Sequence, residues 1–489
     1  MMLLGSAQAV NILISVIRMK VLAMLLGPSG IGLLSIFVNL QSLVKEAAGL
    51  GIGSSGVRDI AASRQDETTL SRVRRVLFVA HLVQGTLALL AVWLLRAPIA
   101  KSLFGDATHA TQVGLIGVAI LMALLGTAQT ALLQGMRQIA DLGRITVLGA
   151  FAGTIVGLAT IWWQGESGLI WFIIVQPMSN ILISIQYIRR LPKPTATQLT
   201  LWETFQFWKP MAKLGLAFML GGLATSATLL LVRGRISQEL GLDAAGHFAA
   251  AWGLTMTYVG FLLSAMGADY YPRLTEIIHN KVAAVQLMND QAQIGLAIGG
   301  PLLLLLIGLA PWVITLLYSK EFAPAVELLQ WQSVGNVFKL AGWALGFSIV
   351  AAGRSKTFFL LQVNFNVIFL LLLWPTLTKF GIAAAGPAFT IAYLLQLAAV
   401  FWVVRVVHNF RWQPLSLKLL FLHGSLAVVL LAAAQNFPVG VAAASIALAL
   451  GTSVFGIRVV LSKIGKHGHL PTRLYGTFVR LGWPIRSAN

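Results

Sequence analysis

The sequence predicts an all-α polytopic membrane protein of about fourteen transmembrane helices, arranged as two six-helix lobes followed by a C-terminal pair. Three observations predict it. Hydrophobic residues fill 57% of the 489 positions against 10% charged, too little charge to cover a soluble protein of this size. Apolar runs of about 18 residues or more, separated by Gly, Pro and charge-rich breaks, can be counted as fourteen. A short turn motif also recurs in the two halves of the chain at one offset.

Taken in order, the apolar runs lie near 5–26, 33–56, 76–95, 112–133, 145–163, 168–187, 211–232, 246–268, 291–310, 325–350, 357–374, 382–404, 417–434 and 440–461. With the amino terminus inside, the inner connections and tail carry 25 Lys and Arg against 6 in the outer loops, so the charge asymmetry predicts both termini on the cytoplasmic side. Tryptophans near span ends, among them Trp93, Trp162, Trp163, Trp312, Trp374 and Trp402, suit an interfacial belt. The longest inner connection places Trp202, Phe205 and Trp208 on a surface helix and reads as an interfacial linker at 191–210. It separates an N-terminal lobe, 1–190, from a second lobe, 211–405; helices thirteen and fourteen then occupy 406–462 and a basic cytoplasmic tail 463–489. The net charge of +20 reads first as topogenic charge and contact with anionic lipid, and nucleic acid is set aside as a partner. There is no cysteine, so no disulfide or thiolate metal site.

The repeat supports the two-lobe reading. Leu26-Gly27-Pro28-Ser29-Gly30-Ile31-Gly32 has its counterpart in Leu240-Gly241-Leu242-Asp243-Ala244-Ala245-Gly246, at an offset of 214. Six runs precede the linker and six follow it before the last two, and an even number per unit makes the halves parallel repeats about an axis along the membrane normal.

Polar residues inside the runs fall at helical spacing. Gln8, Asn11, Ser15 and Arg18 share one face of the first run, a polar stripe around an arginine that belongs in a cavity or else snorkels to the headgroups. The second run carries Ser35, Asn39, Ser42 and Glu46 with Lys45 beside them, as a polar wall or as locally satisfied packing. Run ten carries Gln332, Asn336, Lys339 and Trp343, with Lys339 a counterpart of Arg18 across a cleft or a lysine neutralised by burial. Arg233 and Arg235 either guard the outer mouth or are solvated, and Gln362, Asn366, Thr390, Tyr393 and Gln396 read mainly as helix-to-helix hydrogen bonds. Deep cations outnumber the single deep carboxylate, Glu46, so the cavity should attract anions.

Enzyme patterns are missing. Gly353-Arg354-Ser355-Lys356-Thr357 lacks the glycine spacing and Gly-Lys pair of a phosphate-binding loop, and there is no His-Glu-x-x-His, no G-x-S-x-G and no inward carboxylate pair. Histidines such as His81, His247 and His408 are scattered without metal spacing. A carrier without cofactor or metal is favoured over a catalyst.

Asn11-Ile12-Leu13-Ile14-Ser15 with Arg18, the Leu26-Gly27-Pro28 turn, its repeat at Leu240-Gly241 and Tyr270-Tyr271-Pro272-Arg273-Leu274 together resemble the polysaccharide-transporter branch of the MOP flippase superfamily, most closely the O-antigen translocases of the Wzx type. The resemblance implies two lobes in a V shape, alternating access, and movement of undecaprenyl-diphosphate-linked oligosaccharide from the inner to the outer leaflet of the bacterial inner membrane. On that footing Arg18, Lys339, Lys45, Asn11, Ser15, Asn39, Gln332 and Asn336 are the candidate substrate-binding residues, and Glu46 is a candidate for ion coupling. The partners implied are the lipid-linked oligosaccharide, the bilayer and the proteins of polysaccharide assembly. A membrane-embedded polysaccharide polymerase and a drug or ion antiporter are the alternatives; the lack of a large outer loop counts against the first and the scarcity of acidic groups against the second.

Overall fold

The computed structural model describes residues 2–191 and 200–464 together with 473, 475, 477, 478, 480 and 483; side chains are described from Val10 onward, apart from 201, 217, 218, 221 and 464. The basic tail 463–489 therefore lies mostly outside the described residues, as do 192–199 of the linker. Among the described residues the regular structure is entirely helical. The helices are α1 (Met2–Gly49), α2 (Ile52–Ala62), α3 (Glu67–Leu94), α4 (Arg96–Phe104), α5 (Ala110–Gly135), α6 (Ile139–Gln164), α7 (Leu169–Ile188), α8 (Leu201–Ile277), α9 (Lys281–Leu317), α10 (Ala325–Ala351), α11 (Ser355–Phe380), α12 (Ala385–His408), α13 (Pro414–Ala434) and α14 (Pro438–Ile464).

Ten segments among the described residues are long and apolar enough to cross a membrane. Four of them run through a break in the helix: Val10–Gly49 through Gly27, Ile139–Ile188 through the 3-10 turn Gly165–Gly168, Gly222–Ile277 through Gly241, and Ser355–His408 through Gly381–Ala384. At 48 residues α1 would be about 72 Å long if straight, far more than the roughly 30 Å hydrocarbon layer needs. Its break is built from Gly27, whose φ of 64° only glycine adopts cheaply, followed by Pro28, which has no N–H to give the helix. The break in α8 uses Gly241, φ 86°.

The chain forms two compact units. One comprises Met1–Ala249 with Leu316–Glu321, the other Ala250–Thr315 with Phe322–Asn489. They divide inside α8, after Ala249, whereas the sequence placed its lobe boundary at 191–210.

In the first unit the two repeated turns meet each other. A Cβ on Gly32 would overlap the carbonyl of Leu242, and one on Gly246 would overlap the carbonyl of Pro28, so the seventh position of each motif receives the third position of the other. The segment 316–321 is tied to the same region: Lys20 Nζ donates to the Tyr318 carbonyl at 2.5 Å and His247 Nε2 to the Glu321 carbonyl at 3.1 Å. A second close approach joins Gly51 to Gly215, where a Cβ on either would strike the other backbone. Between them Ile52, Ile60, Val73, Val76, Leu77, Ala128 and Leu132 bury the inner faces of α2, α3 and α5.

In the second unit α13 and α14 are packed onto α9. The His423 ring lies on Gly300, Ser445 on Gly308, and Gly456 on the Ala297 carbonyl. Buried amides finish the joint: Asn289 donates to the Arg411 carbonyl at 3.0 Å and accepts from Ser416 at 2.8 Å, and Lys463 pairs with Asp290 at 2.6 Å.

Candidate functional site

In the first half of α1, Leu13 and Ile17 are 59% and 55% exposed while Asn11, Ser15 and Arg18 on the other face are half-buried. The helical spacing therefore sorts the polar stripe away from the outward apolar face. Arg18 Nη2 donates to Ser15 Oγ at 3.4 Å, a long hydrogen bond within one turn of helix. The side chain of Gln8 lies outside the described residues.

After the break, Lys45 and Glu46 open onto a cavity of about 420 Å³ inside the first unit. Gly49, Gly51, Gly53 and Ser54, at the junction of α1 with α2, form its second wall, and His81 of α3 with Leu124, Thr127, Thr130 and Gln134 of α5 a third. Glu46 Oε2 accepts from Ser226 Oγ at 2.9 Å, with Gly222 one turn away leaving room for the carboxylate. His81 is fully buried; its Nδ1 donates to the Leu77 carbonyl at 2.7 Å on its own helix, and its Nε2 is buried without a partner. Asn39, one face along α1, is half-buried with its Nδ2 unpaired.

In the second unit Gln332 and Asn336 are fully buried on α10. Gln332 Oε1 accepts from Thr255 Oγ1 at 2.8 Å and Asn336 Nδ2 donates to the Gln332 carbonyl at 2.7 Å, leaving Gln332 Nε2 and Asn336 Oδ1 unpaired. Lys339 Nζ donates to Met256 Sδ at 3.2 Å and stands 5.3 Å from the centroid of the Tyr393 ring. Its positive charge thus rests on a thioether and an aromatic face, and it forms no ion pair among the described residues.

The sequence-derived residues accordingly fall into three groups: Asn11, Ser15 and Arg18; Lys45 and Glu46 at the cavity with Asn39 above; and Gln332, Asn336 and Lys339 in the second unit. Sequence reasoning missed His81, Ser226, Thr255 and Met256, which are distant in the chain and carry no spacing signal. Arg233 is not a solvated outer residue: it is 7% exposed, and its Nη1 donates to the Ser35 carbonyl at 3.0 Å. Arg235 pairs with Glu239 at 2.8 Å. Of the Tyr270–Leu274 motif, Tyr270 and Leu274 are the buried anchors, with Tyr270 Oη donating to the Ala344 carbonyl at 2.7 Å, whereas Arg273 lies outside beside Asp269. Gln396 and Thr390 do make the helix-to-helix bonds expected of them, to the carbonyls of Leu361 and Trp331.

Comparison with known proteins places this arrangement in a family. The profile described as polysaccharide biosynthesis protein matches residues 21–327, more than half of the chain. The lipid III flippase of Escherichia coli (strain K12) is 24% identical over 399 residues, which cover 79% of this chain and 93% of that protein. A solved structure of the lipid II flippase MurJ in an inward closed conformation superimposes with a TM-score of 0.67 at 14% identity, covering 94% of this chain and all of that one. An inward-facing multidrug resistance MATE family transporter of the MOP superfamily superimposes at 0.63 with 18% identity, covering 82% and 94%. The chain belongs to the polysaccharide biosynthesis protein family, a multi-pass membrane transporter in the polysaccharide-transporter branch of the MOP flippase superfamily.

Proposed function

We propose that this protein flips an undecaprenyl-diphosphate-linked oligosaccharide, an O-antigen or related polysaccharide unit, from the inner to the outer leaflet of the bacterial inner membrane by alternating access, with both termini cytoplasmic. The observation that carries the reading is the set of cations within its apolar helices. Arg18, Lys45 and Lys339 form no ion pair among the described residues, and the carboxylate nearest them in sequence, Glu46, is already held by Ser226. Unpaired cations in a membrane are costly unless an anion meets them, and a diphosphate is such an anion. The names of the lipid II and lipid III flippases support a lipid-linked substrate.

In this reading Arg18 grips the diphosphate, because a guanidinium presents two parallel donors to one phosphate, and Lys45 and Lys339 act as point charges. Asn11, Ser15, Asn39, Gln332 and Asn336 supply hydrogen bonds to sugar or phosphate, and the polyprenyl tail stays in lipid. Residues 1–190 and 211–405 act as the lobes, 406–462 as an accessory pair and 463–489 as a tail on the inner leaflet. Glu46 is the candidate coupling group.

The test is the appearance of lipid-linked glycan in the outer leaflet of cells holding matched amounts of each variant. Arg18→Ala should abolish it and Arg18→Lys should keep only part of it. Wild-type flipping by Arg18→Ala would reject the assignment. Transport of cationic dyes with none of glycan would favour the antiporter alternative.

A further inference from the structure

The cavity beside Lys45 has a feature the flippase reading does not use. Helix α2 begins in its wall, and its N-cap, Gly51, is left-handed (φ 64°) and offers no side chain to the first turn. Ser54 and Ser55 N–H both turn back to the Gly51 carbonyl, which leaves the N–H groups of Ile52 and Gly53 as the free donors of that end. Leu50, with φ 48°, is also left-handed, and two successive left-handed residues before a helix turn the backbone into a concave, donor-rich corner. The corner is fixed by the backbone contact of Gly51 with Gly215.

A helix start alone selects nothing. The second observation is His81, fully buried in the opposite wall. Its Nδ1 is turned back onto α3, so the free edge of the ring is Nε2, and Nε2 has no partner. A buried ring nitrogen without a partner is expensive, and a ligand would satisfy it.

The titratable groups of the lining are Lys45 and Glu46 from α1 and His81 from α3; α2, α5 and Met219 of α8 contribute none. With His81 neutral, Lys45 and Glu46 cancel and an anion gains little by entering. With His81 protonated the set is net positive, and Nε2–H becomes a donor facing the same space as the Lys45 ammonium and the uncapped end of α2. We propose that this cavity is an anion site for a phosphate or diphosphate group, and that its occupation brings one proton onto His81. The group can belong to the head of a lipid or to a free phosphate in the water. If it is the lipid, the cavity is a loading site for the substrate proposed above and rests on that reading.

The experiment is calorimetric titration of the full-length protein in nanodiscs with inorganic pyrophosphate, repeated in buffers of different ionisation enthalpy to count protons. A parallel arm uses nanodiscs doped with polyprenyl diphosphate. The expected result is saturable pyrophosphate binding, uptake approaching one proton per anion, and affinity rising as pH falls, by at most about tenfold per unit. Lys45→Ala should weaken binding by about tenfold or more, in keeping with the loss of a partly buried charge partner. His81→Gln should abolish the proton uptake, and Glu46→Gln should tighten binding. Competition by the doped lipid identifies the headgroup as the source; pyrophosphate binding without competition identifies a free anion. The proposal is overturned if wild-type protein binds neither probe, or if binding is indifferent to both Lys45→Ala and His81→Gln. Because flipping is not read here, failure of glycan transport with pyrophosphate binding intact counts against the flippase reading alone.

Discussion

A lysine or arginine within a membrane helix costs about 2.5–3.5 kcal/mol on insertion scales, and this protein keeps several. Lys339 shows how one is housed: its stem lies along apolar wall while its ammonium meets sulfur and a ring face. If its charge serves the substrate, Lys339→Met should leave thermal stability equal or higher, because an apolar side chain of similar length suits that pocket, while glycan flipping falls several-fold. A variant that loses stability in step with flipping would show a structural lysine instead. The polar stripes of α1 and α10 were legible in the sequence because helical spacing is a local property. What became of Arg233 was not: its neighbours Val232 and Gly234 say nothing of the Ser35 carbonyl, 198 positions away, that receives its proton. His81 was opaque for the same reason, since Lys45 and the start of α2 join it only through packing.

At the scale of elements, helix starts and breaks decide the layout. Asp66 caps α3, accepting from Thr68 and Thr69 through both backbone and hydroxyl donors, and these bonds, led by the Thr68 hydroxyl, hold its carboxyl well below the usual range. A depressed carboxyl contributes stability that is present above its unfolded value of about 3.9 and is lost as pH falls through the folded value. Amide exchange of Thr68 and Thr69 should therefore be protected at neutral pH and lose that protection on acidification into the strongly acid range. Asp66→Ala should exchange rapidly at both ends of that range. The four broken segments are the reason the number of crossings differs between a count by sequence and a count by helix: Gly27, Gly165, Gly241 and Gly381 all have positive φ, yet helix continues on both sides. Reading each of the four as two crossings gives the fourteen-span topology. Reporter fusions after residues 140, 200, 280 and 410 should then report cytoplasm, and those near 105, 240, 320 and 378 the opposite side. A cytoplasmic signal at both 240 and 280 would instead make Gly222–Ile277 a re-entrant element.

For the molecule as a whole, the all-helical class was legible from composition alone, whereas the division into units was not. The sequence marks 191–210 by its Pro, Trp and Arg, but compactness divides the chain at Ala249, because helix packing draws α8 up to that residue, and the 316–321 segment, into the first unit. The motif repeated at an offset of 214 proved to be a contact as well as a pattern. Gly32→Ala and Gly246→Ala should each destabilise by roughly 1–3 kcal/mol in thermal melts, since a methyl group must push a backbone carbonyl aside. The double variant should cost clearly less than the sum, because the first methyl already parts the two turns; simple additivity would mean that the contacts are independent. Such mutual seating, in which position i of one partner receives position j of the other and the reverse also holds, is the signature of an isologous homodimer interface. Here both partners belong to one polypeptide, so the chain carries, as a covalent monomer, the docking surface of two copies of itself, and a lesion on either side is the same lesion seen from the other end of the axis.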